Sequence, residues 1–199
     1  FGFFFFFCQK ENGYFVLLSN MSMNTETDRV GFKNGKYKIA CFSLSLEKKW
    51  SKAIEPSSSE MYIDAVTFYN EKILIVFSNY IKQDQKVKYT ISTVDSDGKF
   101  FIDNKSTVDF YPIGSTYEKC KVVFSITRQQ FALVTREYTN DTSQKVYSAV
   151  LDTSLKIISQ KSLTVPHPEK KFDFDSYALS VNGDLAALGY HSEKIKALS

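Results

Sequence analysis

The chain has 199 residues, of which 43% are hydrophobic and 24% charged, a balance typical of a folded globular protein and not of a disordered one. Aromatic residues make up 16%, mainly 18 Phe and 12 Tyr, so the composition favours β-strands. Twenty-five Lys and Arg against 22 Asp and Glu give a net charge of +3 without a basic cluster, which argues against nucleic-acid binding.

The chain opens with FGFFFFFC, which contains five consecutive phenylalanines at residues 3–7. This apolar run is about eight residues long, whereas a helix that spans a bilayer needs about 20. The run also lacks the basic region and the small-residue cleavage site of a signal peptide. We therefore expect no transmembrane segment in this chain and predict that the run is the first strand of a repeated unit.

Four segments share one pattern of a polar turn, a short apolar run and a polar stretch: ENGYFVLLSN, NEKILIVFSN, RQQFALVTRE and NGDLAALGYH. Their equivalent residues, Tyr14, Ile73, Phe131 and Leu185, lie 59, 58 and 54 residues apart. A period in this range fits a four-stranded unit with its loops. Each segment predicts the second strand of a unit, and YIDAVTFY, KVVFSI and FDFDSYALSV predict the first strands of the later units.

A second signature follows in the first three units. YKIACFSLSLEKKW, YTISTVDSDGKFF and YSAVLDTSLKIIS each begin with a tyrosine, alternate in polarity and pass a short polar turn, which predicts a hairpin of strands three and four. Tyr37, Tyr89 and Tyr147 recur at one position and are interpreted as structural. Polar variable loops separate strands two and three, and only SEKIKALS at residues 192–199 has any helical periodicity. The chain is predicted to be all-β.

A succession of four-stranded antiparallel units of this period resembles a β-propeller. We predict a partial propeller of about three and a half blades in a single region, 1–199, with blades at about 1–56, 60–112, 118–165 and 170–199. Two sandwich domains are the alternative, and the regular spacing argues against them. Because both chain ends fall within a blade, we expect a fragment of a longer protein whose exposed blade edges self-associate.

The segment YSAVLDTSLKIISQKSLTVPHPEKKFDFDSYALSVNGDLAALGYH carries a more specific likeness. Its order of Tyr-rich strand, Leu-Asp turn, final strand, Pro-containing linker, Phe-Asp strand and Asn-Gly-Asp turn resembles uncharacterised propeller-like proteins of bacterial cell envelopes. The resemblance implies the fold and an extracytoplasmic location, periplasmic or secreted. It implies no catalytic residue.

The chemistry-bearing residues do not converge in sequence. His167 lies between two prolines in a linker and His191 follows the last apolar strand, so neither is predicted to be catalytic or a ligand. The run from Asp95 to Gly98 lacks the distal Glu of a calcium loop and predicts a turn. The three cysteines, Cys8, Cys41 and Cys120, have no metal-ligand spacing. Cys41 and Cys120 lie in apolar runs and are predicted to be core residues.

Asp173 and Asp175 alternate with phenylalanines, which predicts two carboxylates on one strand face. One interpretation is that they form the polar side of a half-buried strand. The other is that they bind a cation or a sugar at a channel rim. Trp50 is predicted to be a packing anchor. The N-glycosylation acceptor pattern occurs at three predicted loop positions, where chance explains it: Asn20, Asn104 and Asn140.

We therefore predict no catalytic, cofactor-binding or metal-binding residues and no cofactor. The preferred function is a non-enzymatic binding or scaffold module that presents propeller loops to a protein or glycan partner. The alternative is a glycan-active hydrolase or lyase with part of its active site in further blades. A third hypothesis is a structural spacer in the cell envelope.

Overall fold

The computed structural model describes residues 3–10, 13–19, 30–31, 37–54, 60–114, 116–140, 143–166 and 172–191. The chain divides into two compact units, unit 1 at Phe1–Tyr111 and unit 2 at Pro112–Ser199. The described residues form antiparallel strands with tight turns and one short 3-10 turn at Lys82–Asp84. None of the described segments is a long apolar helix of the kind that crosses a bilayer.

The described residues of unit 1 form nine strands in two sheets. The strands are β1 (Phe3–Lys10), β2 (Gly13–Ser19), β3 (Val30–Gly31), β4 (Tyr37–Phe42), β5 (Lys48–Ile54), β6 (Tyr62–Tyr69), β7 (Lys72–Ile81), β8 (Lys86–Val94) and β9 (Phe100–Phe110). Sheet 1 has the order β1-β2-β4-β5, and sheet 2 has the order β3-β6-β7-β8-β9. All these pairings are antiparallel, as expected of strands joined in sequence by short connections.

In the part of unit 2 that the structure describes, six strands form two sheets. The strands are β10 (Lys121–Phe124), β11 (Gln130–Asn140), β12 (Ser143–Asp152), β13 (Ile157–Val165), β14 (Phe172–Leu179) and β15 (Leu185–His191). Sheet 3 has the order β10-β11-β12-β13 and is antiparallel throughout. Sheet 4 is the pair β14-β15. The four reference residues of the sequence pattern lie at or beside the starts of β2, β7, β11 and β15.

One turn chemistry recurs in both units. A side-chain oxygen at the first turn position accepts the backbone N–H four residues on, as in Asp95 to Lys99 (2.9 Å) and Asp152 to Lys156 (3.0 Å). The Ser43 and Ser180 hydroxyls do the same in the β4–β5 and β14–β15 turns. Such short side chains accept hydrogen bonds from turn N–H groups that the ladder leaves free, which explains why Asp or Ser recurs at the first position of these turns.

Within each unit, consecutive sheets stack face to face, as the blades of a propeller do. In unit 1 the core joins Phe15, Leu17 and Ile39 of sheet 1 to residues of sheet 2 such as Ile73 and Ile75. In unit 2 it joins apolar residues of sheet 3 to apolar residues of sheet 4: Ala132, Val134, Val146 and Val150 to Phe174 and Leu179. Each sheet therefore uses one apolar face to bury its neighbour.

Trp50, at the start of β5, fastens sheet 1 to the β8–β9 turn of sheet 2. Its indole Nε1 donates to the Ser96 carbonyl oxygen at 2.7 Å, and its ring centroid lies 5.9 Å from that of Phe15. The same ring lies so close to Gly98 that an added Cβ would stand 2.9 Å from it. The side chain predicted to anchor the packing thus joins sheet 1 to the β8–β9 turn of sheet 2 within unit 1.

The prediction of an all-β chain built from four-stranded antiparallel sheets is confirmed, with sheets of four, five, four and two strands. The phenylalanine run forms β1, also as predicted. The predicted blade boundaries and the single region stay predictions. The helical periodicity noted in SEKIKALS lies outside the described residues.

Three loop predictions are wrong, those for Val30–Gly31, for Asn104 and for Asn140, which ends β11 and pairs with Ser143. Val30–Gly31, placed in a variable loop, forms β3 and adds a fifth strand to sheet 2 through Ile63 and Tyr62. Asn104, also placed in a loop, lies within β9, because the β8–β9 ladder resumes after a wide register shift between Thr90 and Ser92. The extra β9 residues form a bulged excursion in the strand, which polarity alone cannot distinguish from a loop.

Candidate functional site

A groove of about 500 Å³ opens in unit 2 between sheets 3 and 4. Its floor is β12 and β13, and its wall is β14, β15 and the turn between them. In the described part of the chain sheet 3 has four strands and sheet 4 has two, so sheet 4 covers only part of the face that sheet 3 presents to it. A concave site of this volume is of the size that small ligands and peptide side chains occupy.

The groove combines an apolar base with polar and charged groups. Phe174 and Tyr177 form a stacked pair on the wall, with ring centroids 5.8 Å apart. Leu163, on the floor, is 63% exposed. Hydroxyl groups also line the floor, from Ser148, Ser159 and Ser162. Such a surface offers both contact area and hydrogen-bonding groups to a ligand.

Two opposite charges line the groove. Lys161 lies on the β13 floor and Asp184 lies in the turn that begins the β15 wall. Among the described residues, neither side chain takes part in an ion pair. The groove therefore presents one cation and one carboxylate to an incoming group.

The wall ends in a strand edge. Among the described residues β15 pairs only with β14, whereas β2, β7 and β11 each have a strand on both sides. Its Leu185 and Ala187 line the groove, while Leu188 and Tyr190 are 65% and 56% exposed. An edge of this kind presents backbone N–H and C=O groups that a further strand can pair.

A buried charged cluster lies where β11 ends, next to the groove wall. Arg136, 3% exposed, donates from Nη1 to Gln144 Oε1 at 3.0 Å and from Nη2 to Glu118. Its guanidinium also lies 5.6 Å from the ring centroid of Phe174. The cation thus links the segment before β10, sheet 3 and sheet 4 in one contact set.

The next residue, Glu137, points to the opposite face of sheet 3. Its Oε1 accepts the Gly114 backbone N–H, and its Oε2 lies 2.8 Å from the Tyr147 hydroxyl. That hydroxyl shares its proton with the Pro112 carbonyl oxygen as well. Burial first, and then the hydrogen bond and charge of Glu137, raise the pKa of Tyr147 above its usual range. These contacts fix the segment at 112–114 on sheet 3.

Replacing Tyr147 by phenylalanine should make stability less sensitive to alkaline pH. Because the folded state holds the Tyr147 proton above its usual pKa of about 10, the unfolded state loses that proton first, and the free energy of unfolding falls as pH rises beyond this value. Urea unfolding followed by circular dichroism between about pH 9 and about pH 11 should give a steeper decline for the wild type than for Tyr147→Phe.

The control for this comparison is Tyr111→Phe, which changes a tyrosine that is 68% exposed. Its alkaline decline should follow that of the wild type. Parallel declines for the wild type and Tyr147→Phe would contradict the assignment. At neutral pH, Tyr147→Phe should also cost about 1 to 2 kcal/mol, the typical loss for a buried hydrogen bond.

The structure does not bring the sequence-predicted candidates together. His167 lies outside the described residues; His191 ends β15, and its side chain is not described. Asp95 Oδ1 accepts the backbone N–H groups of Asp97 (3.0 Å) and Lys99 (2.9 Å), so this carboxylate serves its turn. No group of three His, Cys, Asp or Glu side chains in the described part of the chain is arranged to hold a metal ion.

Asp173 and Asp175 lie in β14, beside the groove wall, with side chains outside the described set. The β14–β15 ladder shifts register between Phe174 and Ser176, so the strand is irregular at Asp175. The simple alternation that would place both carboxylates on one face is therefore interrupted by a bulge at the second of them.

The other singled-out residues have structural surroundings or are not described. Cys41 and Cys120 are buried, and burial raises the pKa of the Cys41 thiol, while Cys8 lies in β1. The three recurrent tyrosines are all buried: Tyr37 2%, Tyr89 0% and Tyr147 2% exposed. Asn20 lies outside the described residues and Asn140 ends β11.

Sequence reasoning missed the buried charges. Arg136 and Glu137 directly follow the apolar run FALVT. A charged pair at the end of a predicted core strand is the one signal in the sequence that could have indicated them. Their partners Glu118 and Gln144 are separated from them in sequence and carry no signal of their own. In unit 1, Asp64 is similarly buried, and it accepts a hydrogen bond from the Ser78 hydroxyl at 2.6 Å.

No protein-family model matches the chain, and no curated protein matches it in sequence. Among solved structures, the acylaminoacyl peptidase of Pyrococcus horikoshii is similar, with a TM-score of 0.45 and 11% identity over 94% of this chain and 32% of that one. Prolyl oligopeptidase B from Galerina marginata has a TM-score of 0.39 and 10% identity over 95% of this chain and 23% of that one. The chain thus spans a third or less of these proteins' lengths.

Proposed function

We propose that the chain is a non-enzymatic binding module and that the unit 2 groove receives an extended segment of a protein partner, which adds as a strand beside β15. The observation that carries the proposal is the groove itself, with a floor of β12 and β13, a wall of β14 and β15 and a strand edge along its rim. Strand addition uses main-chain hydrogen bonds for affinity and pockets for alternate side chains for specificity.

The groove chemistry favours a polypeptide over a neutral glycan. The β15 edge offers a backbone ladder that only another backbone can continue. Lys161 and Asp184 would pair with a carboxylate and a cation of the ligand, which a peptide supplies and a neutral sugar does not. The apolar side chains of Leu163 and Leu185 suit the alternate apolar residues of a strand.

A lone strand fits the groove better than β15 of a second copy. Antiparallel pairing of two β15 strands about a twofold axis would place both copies of sheet 3 on the same side of the joined sheet. The floor formed by β12 and β13 already occupies that side. The two copies of sheet 3 would therefore collide.

The proposal is tested with a peptide that has the sequence of residues 143–152, SQKVYSAVLD. This segment forms β12 and pairs antiparallel with β11, the strand of sheet 3 that corresponds to β15 in sheet 4. We expect the labelled peptide to bind the whole chain in a fluorescence polarisation titration. Lys161→Glu should change its dissociation constant about fivefold, because a charge interaction of an exposed side chain is worth about 1 kcal/mol.

The matched control is Lys119→Glu, which reverses an exposed charge of unit 2 outside the groove and should leave binding unchanged. A scrambled peptide of the same composition tests whether the groove recognises the alternation of polar and apolar residues in this segment. Equal binding of both peptides, or no effect of Lys161→Glu, would overturn the proposal. Saturable binding or cleavage of neutral oligosaccharides without peptide binding would instead favour the glycan-active alternative.

A further inference from the structure

Sheet 4 has a second apolar surface on the side away from the groove. This outer face consists of Ala186, Leu188 and Tyr190 of β15 with Ser176 and Ala178 of β14, which pair across the ladder. Side chains alternate along a strand, so these residues point away from sheet 3 while Leu185 and Ala187 point into the groove. These five residues are uncharged and exposed, and Tyr190 pairs across the ladder with Asp173 at one end of the face.

The equivalent faces of sheet 1 and sheet 3 are each covered by the next sheet of the same unit. Leu17 in β2 and Val134 in β11 stand at the same distance from their reference residues as Leu188 does in β15. They are 3% and 1% exposed, against 65% for Leu188. Leu17 packs against sheet 2, and Val134 packs against sheet 4. This surface is therefore one that the chain normally buries under the next sheet.

The covering sheet presents a defined face in each case. Sheet 2 uses Ile73 and Ile75 of its second strand, and sheet 4 uses Leu185 of its own second strand. The matching positions of sheet 1 are Tyr14 and Val16, which are half-buried. The chain thus carries both halves of one stacking arrangement, the outer face of sheet 4 and the face of sheet 1 that bears Tyr14.

We propose that a second copy of this chain docks the Tyr14 and Val16 face of its sheet 1 on the outer face of sheet 4, head to tail. The contact continues the sheet-on-sheet stacking within each unit, and it covers the exposed apolar side chains of Leu188 and Tyr190. Because the two surfaces differ, the interface is heterologous, and each copy keeps one face for the next. The groove lies on the other side of sheet 4, so this association is independent of the proposed function.

The first test is the oligomeric state of the whole chain by analytical ultracentrifugation between about 1 and about 100 µM, the range in which weak specific interfaces associate. The wild type should grow in mass with concentration. Leu188→Glu should raise the dissociation constant at least about tenfold, because it places a charge in the centre of the contact. A wild type that stays monomeric throughout, or an unchanged Leu188→Glu protein, would overturn the proposal.

The matched control is Leu163→Glu, which changes a leucine of almost equal exposure, 63%, on the groove side. It should associate like the wild type, and equal loss of association in both variants would show that general apolar exposure is responsible and would overturn the proposal. Circular dichroism checks that each variant is folded.

A mixing experiment tests the head-to-tail arrangement. A Leu188→Glu copy retains its sheet 1 face and should bind the outer face of a wild-type copy but accept no further copy itself. An excess of this variant should therefore lower the mean mass of wild-type assemblies at constant wild-type concentration. An unaffected wild-type mass would point to a face-to-face contact and would overturn this arrangement.

Discussion

Replacing Arg136 by alanine should lower the free energy of unfolding by about 3 kcal/mol, the cost of breaking a buried ion pair by removing one partner. The guanidinium is buried and holds Gln144, Glu118 and the Phe174 ring at once. Without it, the Gln144 side-chain oxygen and the half-buried Glu118 carboxylate each lose the hydrogen bond that Arg136 donates within a packed region. Urea unfolding followed by far-ultraviolet circular dichroism measures the loss.

A double-mutant cycle separates the energy of the Arg136–Glu118 ion pair from that of the packing of Arg136 on Phe174. Glu118→Gln alone should cost less than Arg136→Ala, because Glu118 is nearer to solvent. The two changes together should cost less than their sum, with a coupling of about 1 to 3 kcal/mol for groups in one network. Arg136→Met, which keeps the apolar stem, should recover part of the loss through packing on Phe174. Additive costs, or an Arg136→Ala loss below about 1 kcal/mol, would contradict the assigned role.

The strand pattern was predictable because it rests on local rules. Second strands follow from apolar runs after polar turns, and the turns at Asp95 and Asp152 follow from carboxylates that accept nearby backbone N–H groups. The phenylalanine run was assigned as β1 from its place before the Gly13 turn, and its pairing with β2 agrees. In each case the physical cause acts over a few residues, so it is visible in sequence.

The candidate site was not predictable because its causes are not local. Arg136 meets Glu118 across 18 residues of sequence, and no pattern ties the two together. The groove depends on the difference between the four described strands of sheet 3 and the two of sheet 4, which is a property of two sheets and of no single segment. The short strand β3 was missed because two residues in a polar stretch carry no alternation to detect.

Replacing Gly13 by alanine should have a comparable effect in unit 1, with a loss of about 3 kcal/mol or more from overpacking and backbone strain together. Gly13 begins β2 at a φ of +154°, and a Cβ there would overlap the Phe42 carbonyl oxygen of β4. The obstacle is backbone within the β2–β4 ladder, so no side-chain rotation can remove it. Sheet 1 would have to separate where Tyr14 pairs with Phe42.

Gly183→Ala is the matched control because Gly183 also has a positive φ, +86°, but faces a side chain instead of backbone. The nearest atom to its added Cβ would be Gln130 Oε1 at 3.2 Å, which can move aside, so only the strain of about 1 kcal/mol should remain. Urea midpoints by circular dichroism compare the two variants, and fluorescence of Trp50, which packs on Phe15 of β2, should shift with Gly13→Ala alone. If both glycines cost the same, the clash with Phe42 contributes nothing and positive φ alone explains why glycine stands at each turn.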